Sequence, residues 1–398
     1  MTLTPLDWTI IALYFLVNLA IGLYYARRAR QSTSDFFLSG RDVPWWLAGT
    51  SMVATTFAAD TPLAVTGMVA ENGIAGNWLW WSLVMSGMMT VFFYARLWRR
   101  AGVMTDIEFA ELRYSGKPAA FLRGFRAIYL GIPINCIVLG WVNLAMIIIL
   151  KGTLGIGEKA AISVLVGILV FTAFYTAISG LWGVLVTDLF QFVLKMGMVI
   201  LLAVFAVNAV GGIDQLKLRI AELDENARTQ TIEKLKSQLE QNRAQGNSAA
   251  VDTLERRLSA TENQRGSRLD FFPPMDSVWM PFITLCVYLA VNWWASWYPG
   301  AEPGGGGYVA QRIFSARNER HGVLATLWFN VAHYALRPWP WILTALAALV
   351  LYPDLAADEA KQGVGYVKSL MDPDVFPVAL RGFMVAAFAA AYMSTIGT

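Results

Sequence analysis

The chain has 398 residues, of which 56% are hydrophobic and 15% charged, with a formal net charge of +3 and a mean hydropathy of +0.48. That composition excludes an ordinary soluble globule. The small positive balance sits beside apolar runs, where membrane orientation accounts for it and nucleic acid does not. Cys136 and Cys286 both fall inside apolar runs, which excludes a disulfide framework.

A run of about 20 apolar residues crosses a bilayer core of about 30 Å. Nine such runs are expected, at 7–25, 46–69, 78–97, 125–150, 160–179, 182–209, 276–298, 325–351 and 377–397. The first has its basic residues after it rather than before it, so it is read as a retained span and not as a cleaved signal peptide. Arg27, Arg28, Arg30 and Arg41 follow the first run. Arg96, Arg99, Arg100, Arg113, Lys117 and Arg123 follow the third, and Arg312, Arg317 and Arg320 the seventh. The positive-inside rule then puts the N-terminus outside and these three loops in the cytoplasm of a multi-pass plasma-membrane protein, in a bacterium the inner membrane.

The second run, Ser51 to Gly67, contains Thr55, Thr56, Asp60, Thr61 and Pro62. A proline inside a helix lacks a donor and collides with the carbonyl four residues back, so a break with freed oxygens is expected near Ala58. Freed carbonyls at membrane depth need polar partners, and a carboxylate there faces a cavity, a partner or an ion. In the sixth run Asp188, Gln191 and Lys195 share one helix face. Seven residues rise about 10.5 Å, which is too far for Asp188 and Lys195 to pair directly.

Residues 213–272 are charged and rich in helix formers. Ile232, Leu235 and Leu239, then Val251, Leu254 and Leu258, repeat at helical spacing around AQGNSAA, which predicts a solvated helical hairpin outside the membrane. The expected organisation is therefore a membrane domain over 1–210, the hairpin insertion over 211–273, and a second membrane portion over 274–398. After the seventh run, Gly304 to Gly307 lack the strand and Lys-Ser/Thr pair of a phosphate cradle and read as a hinge. Trp80, Trp293 and Trp294 lie deep enough to line a cavity. In the eighth run His333 and Arg337 precede Pro338 and Pro340, which predicts a kink beside a permanent cation. The plain reading of Arg337 is a buried ion pair, with Asp60 as partner, and that of His333 is packing.

No Gly-x-Ser-x-Gly, HExxH or Walker sequence occurs, so no hydrolase, zinc protease or ATPase has residues to carry it, and the chain is not read as an enzyme. Oxygen chemistry remains. A hard monovalent cation suits unwound carbonyls and hydroxyls, and Ser394, Thr395 and Thr398 in the last run supply hydroxyls.

Four stretches in order carry a family resemblance: SDFFLSGRDVPWW before the second run, Tyr175 to Leu194, Tyr308 to Arg317, and Ala389 to Thr395. The chain resembles the sodium/solute symporter family over all but the hairpin. The resemblance implies an all-α polytopic membrane protein: an inverted-repeat, leucine-transporter-like fold of ten core helices preceded by one extra N-terminal helix. It also implies that this chain is truncated after the eighth core helix, to be completed by further helices or a second chain.

The same resemblance implies sodium-coupled symport of a small organic solute by alternating access, with sodium as the bound ion and the lipid bilayer as surroundings. Sodium would sit between core helices one and eight, on the carbonyls of Ala54, Phe57 and Ala391 and the hydroxyls of Ser394 and Thr395. A second cation site would use Asp188 and Thr398, one ligand short because position 397 is Gly. The residues by which the sodium-galactose members hold sugar correspond to Thr56, Thr61 and Trp80, so that mode of sugar binding is not supported. Solute contacts are expected from Thr56, Asp60, Trp80, Asn292 and Arg337, with a carboxylate-bearing or zwitterionic solute favoured by the cations. The alternatives are a symporter-like membrane sensor and a transporter of a sugar-type solute.

Overall fold

A computed structural model of the chain describes residues 3–245, 247–263, 266–275, 277–292 and 307–398. Trp293, Trp294 and residues 304–306 of the expected hinge lie outside these. Among the described residues the regular elements are all helices, with one isolated bridge between Val43 and Ala316. Among the same residues five helices are long and apolar enough to cross a membrane, and two bent helix pairs bring the number to seven.

The first helix, α1 (Pro5–Ala29), starts at a capping box in which Thr4 and Asp7 satisfy each other's backbone donors. Asp7 also accepts from the Gly382 amide at 2.8 Å, which pins the start of α1 to the last helix. The second run divides into α2 (Trp45–Thr56) and α3 (Asp60–Asn72), bent by 62°. A second bent pair follows, Ile74–Trp81 with Val84–Ala101, and then α4 (Gly116–Leu154), which carries Pro133 in a π-helical turn.

The two expected runs, 160–179 and 182–209, are two helical arms that meet at a kink at Gly180, numbered together as α5 (Glu158–Val210). It departs from helical dihedrals only at Gly180 (φ 59°, ψ −170°). That conformation belongs to glycine, and a β-carbon there would stand 2.8 Å from the Ala29 β-carbon. α5 packs on α1, α2 and the later helices and forms the spine of the molecule. Its Gln191 donates to Asn18 at 2.8 Å and to Tyr14 at 3.0 Å on α1.

The charged segment forms α6 (Ile213–Ala244) and α7 (Ser248–Asn263), packed together and bridged by Arg243–Glu255 and Lys236–Glu262. The sequence leads one to expect a solvated hairpin, but this one is not solvated all round. Leu216 and Ile220 at its base are buried in the core that holds Trp341 and Leu346. Downstream, the Arg268 carbonyl accepts from the Ile74 amide at 2.8 Å.

The remaining helices are α8 (Phe282–Ala290), α9 (Gly307–Ser315), α10 (Glu319–Asn330), α11 (Pro338–Leu351) and α12 (Arg381–Ile396). A π-helical segment, Val331–Leu336, separates α10 from α11. The expected kink at Pro338 and Pro340 is absorbed here, because Pro338 sits in the first turn of α11, where its missing donor costs nothing. α2 and α10 approach so closely that a β-carbon on Gly49 would lie 2.5 Å from the Ala325 carbonyl oxygen.

Candidate functional site

The break between α2 and α3 lies at Phe57, Ala58 and Ala59 rather than at the proline. Pro62 falls in the first turn of α3, where amides have no intrahelical partner and a missing donor does no harm. The Ala58 carbonyl, expected to be orphaned, accepts from the Thr61 amide at 3.3 Å.

Every carbonyl from Val53 to Ala58 has a partner. Val53 accepts from the Phe57 amide at 3.0 Å and from Arg337 Nη1 at 3.4 Å. Thr55 accepts from the Thr395 hydroxyl at 2.8 Å, and Thr56 from the Thr61 hydroxyl at 3.3 Å. The Ala54 and Phe57 carbonyls turn toward α5, and Lys195 Nζ donates to them at 2.8 Å and 3.3 Å. The Lys195 ammonium also stands 5.0 Å from the centroid of the Phe57 ring. Lys195 is 1% exposed, and among the described residues no carboxylate lies within ion-pair distance of it.

The five residues expected to hold sodium do converge where α2 ends against α12, but they do so with their groups already engaged. Ala54 and Phe57 hold Lys195. Thr395 donates to Thr55 across the gap and to the Ala391 carbonyl at 3.1 Å. Ser394 donates to Asp188 Oδ1 at 2.6 Å. The donor set therefore does not fit sodium as it stands, because two of its carbonyls, those of Ala54 and Phe57, are occupied by a tethered cation.

The expected second cation position also holds a side chain. Asp188 Oδ2 accepts from the Ser51 hydroxyl at 2.5 Å and faces Arg312 Nη2 at 3.7 Å. Arg312 donates in addition to Ser51 Oγ and Thr398 Oγ1, each at 3.1 Å. Both members of this pair are essentially unexposed. Sequence reading placed Arg312 among the cytoplasmic loop charges. The signal that could have found it is its setting between Val309, Ala310, Ile313 and Phe314, all buried, on a helix with one apolar face.

Four of the five solute candidates gather round the break. Arg337 donates to Thr56 Oγ1 at 2.9 Å, and its guanidinium lies 5.9 Å from the Trp80 ring centroid. Thr56 also contacts His333 Nδ1 at 3.1 Å, and His333 meets the Trp80 ring edge-on. The weighed ion pair between Arg337 and Asp60 is not formed: Arg337 is satisfied by neutral oxygens, and Asp60 Oδ1 is buried without a hydrogen-bond partner. Asn292 is half-buried just beyond α8 and makes no hydrogen bond among the described residues.

A cavity of about 430 Å³ adjoins the break. Thr55, Thr56, Asp60 and Thr61 line it from the broken helix, and Thr395 and Thr398 from the end of α12. It extends toward Asp106 and Tyr308, on the side where the basic loops lie. Its size suits a small organic molecule.

Comparison with known proteins matches the sodium:solute symporter family over residues 36–398. The chain belongs to that family. It is similar to Sodium/myo-inositol cotransporter 2 of Sus scrofa, 25% identical over 416 residues that cover 99% of this chain and 54% of the relative. Sodium/glucose cotransporter 1 of Oryctolagus cuniculus is 30% identical over 209 residues, 52% of this chain and 30% of the relative. Among solved structures, the substrate-bound outward-open state of a Na+-coupled sialic acid symporter superposes with a TM-score of 0.69 at 18% identity, over 99% of this chain and 71% of that one. The symporter family member described here thus has the leucine-transporter-like fold, is a multi-pass membrane protein, and is related to transporters rather than to enzymes. Its matched part spans 30% of the rabbit relative and 54% of the pig relative.

Proposed function

We propose that the chain forms the solute-binding core of a secondary active transporter, which moves a small polar organic solute through the cavity at the helix break by alternating access. The observation that carries this reading is the break itself. A membrane helix is interrupted at Phe57 to Ala59 beside a cavity of about 430 Å³, which is how family-type transporters place a solute near the bilayer midplane. Thr55, Thr61 and Asp60 would meet the solute there, while Trp80, edge-on to His333 and tilted against Tyr334, is not among the residues that line the cavity.

The chemistry of the free groups narrows the solute. Arg337 is engaged by Thr56 and Val53, so it is less suited to an anionic solute than its charge suggests. Asp60 Oδ1 is a buried acceptor without a donor, and a buried polar atom left unpaired costs free energy that a ligand can recover. A solute bearing hydroxyl or ammonium donors therefore fits better than a simple carboxylate. The relatives' names include glucose, myo-inositol and sialic acid, and sialic acid carries both hydroxyls and a carboxylate. Sodium is the ion coupled in those names. Here the position assigned to it at Ala54, Phe57, Ala391, Ser394 and Thr395 already carries positive charge. The membrane would be a plasma membrane, with the N-terminus outside.

The test is uptake by the protein in proteoliposomes of radiolabelled myo-inositol, glucose, mannose and sialic acid. One of these is expected to accumulate, and Asp60→Asn to lower its uptake about tenfold or more, as loss of a hydrogen bond to a charged group does. Uptake unchanged by Asp60→Asn, with the solute still carried, would contradict the assigned cavity.

A further inference from the structure

Around the broken helix the chain sets three buried basic side chains, Lys195, Arg312 and Arg337, against two carboxylates, Asp60 and Asp188. Arg312 faces Asp188. Arg337 is held by Thr56 and the Val53 carbonyl, with Asp60 outside ion-pair distance. That leaves the Lys195 ammonium, a compact unit charge on a flexible stem, lodged on the two carbonyls that the break turns outward. It has the charge of a sodium ion and makes two of the five contacts assigned to one, those to the Ala54 and Phe57 carbonyls.

We propose that Lys195 is a tethered substitute for sodium in this transporter: its ammonium fills the ion position between α2 and α12, so that no sodium binds there and solute transport does not depend on sodium. The inference rests on the reading of the chain as a solute transporter, but its ion-binding test does not.

Three observations support it. First, the contacts are short and specific. Of the three N–H donors of an ammonium, one reaches the Ala54 carbonyl at 2.8 Å and one the Phe57 carbonyl at 3.3 Å, while the Phe57 ring lies 5.0 Å away with its face available to a cation. Second, sodium could enter only if the ammonium left, and the surroundings offer it no better place. On α5 itself Asp188 is already engaged by Ser51, Ser394 and Arg312. From α11, Arg337 presents a like charge, 5.9 Å from the same Phe57 ring; Asp60 on α3 forms no ion pair with Lys195, and His333 is bonded to Thr56. Third, sodium added beside Lys195 would put two unit charges a few ångströms apart in a dry interior, where their repulsion is several times that in water.

The hydroxyls agree with this arrangement. Those of Thr395 and Ser394 donate to Thr55 and Asp188 and tie α2, α5 and α12 together directly. The contacts that an ion would mediate between these helices are made by the chain's own side chains.

The experiment has two arms. In the first, equilibrium binding of radioactive sodium to the purified protein is measured in choline buffer, for the wild type and for Lys195→Ala, with Lys195→Met as a variant that keeps the apolar stem and packing volume. The wild type is expected to bind no sodium above background and the folded Lys195→Ala protein to gain saturable binding, while Lys195→Met, which fills the space, gains none. Stoichiometric sodium binding by the wild type would overturn the proposal, whether or not either variant folds. A folded Lys195→Ala protein that gains no sodium binding would overturn it too. In the second arm, uptake of the four labelled solutes is compared in sodium and in choline. Equal rates support the proposal and sodium-dependent uptake overturns it. Failure of all four solutes to enter counts against the transport reading and leaves the binding arm to decide the ion.

Discussion

Arg312 and Lys195 are both buried against α2, and they are held in opposite ways. The Arg312 guanidinium faces an ionised partner, Asp188, with the Ser51 and Thr398 hydroxyls filling the remaining directions. The Lys195 ammonium rests on neutral carbonyls and an aromatic ring, with no carboxylate beside it. The first is a neutralised pair whose removal leaves a charge stranded. The second is a single charge in the setting that a carbonyl cage gives to an ion. The Arg312 contact is therefore structural, and the Lys195 contact has the geometry of an ion site.

The comparison is broken most severely at its structural end. Asp188→Asn strands Arg312 in the interior and is expected to cost about 3–5 kcal/mol of stability, read as a large fall in melting temperature in detergent. The double variant Asp188→Leu/Arg312→Met removes both charges and should recover most of that loss, since replacing a buried pair by packed apolar groups is often neutral. If the double variant is as unstable as the single one, the pair is not the reason.

Lys195→Met is expected to cost less, about 1.5–3 kcal/mol, because it deletes two charged hydrogen bonds but strands no opposite charge. The same melting measurement checks the order, and a larger loss than for Asp188→Asn would reverse the assignment of the two cations. Thr395→Val removes the hydroxyl that joins α12 to the Thr55 carbonyl and should cost about 1 kcal/mol. Asp60→Asn is the smallest effect on stability, within about 0.5 kcal/mol, because Oδ1 has no partner to lose; its consequence belongs to uptake.

Much of this was legible in the sequence. Apolar run lengths, the alternation of basic loops and the hydroxyls of the last run depend on local composition, and they led to the membrane fold, the broken second helix and the residues gathered at its break. The proline was misread for a local reason: Pro62 can break a helix or sit harmlessly in its first turn, and only the dihedrals at Phe57 to Ala59 decide which. The division between the fifth and sixth runs falls, as expected, near residue 180, at one glycine of positive φ, which sequence shows as one of 33. What could not be read was pairing at long separation. That Asp188 meets Arg312 and Lys195 meets Ala54 depends on how three helices pack, and a mid-helix cation looks the same in sequence whether it finds a carboxylate or a carbonyl. The docking of Leu216 and Ile220 was hidden similarly, inside a segment whose average is polar.

The most direct test of the central claim, that a tethered ammonium fills the ion position, is the melting temperature of the purified wild-type protein titrated with sodium chloride against choline chloride at constant ionic strength. An ion that binds only the folded state stabilises it by about 2.7 kcal/mol at one hundred times its dissociation constant. Superimposable curves are expected for the wild type and a sodium-specific rise for Lys195→Ala. A saturable, sodium-specific rise in the wild type would contradict the claim.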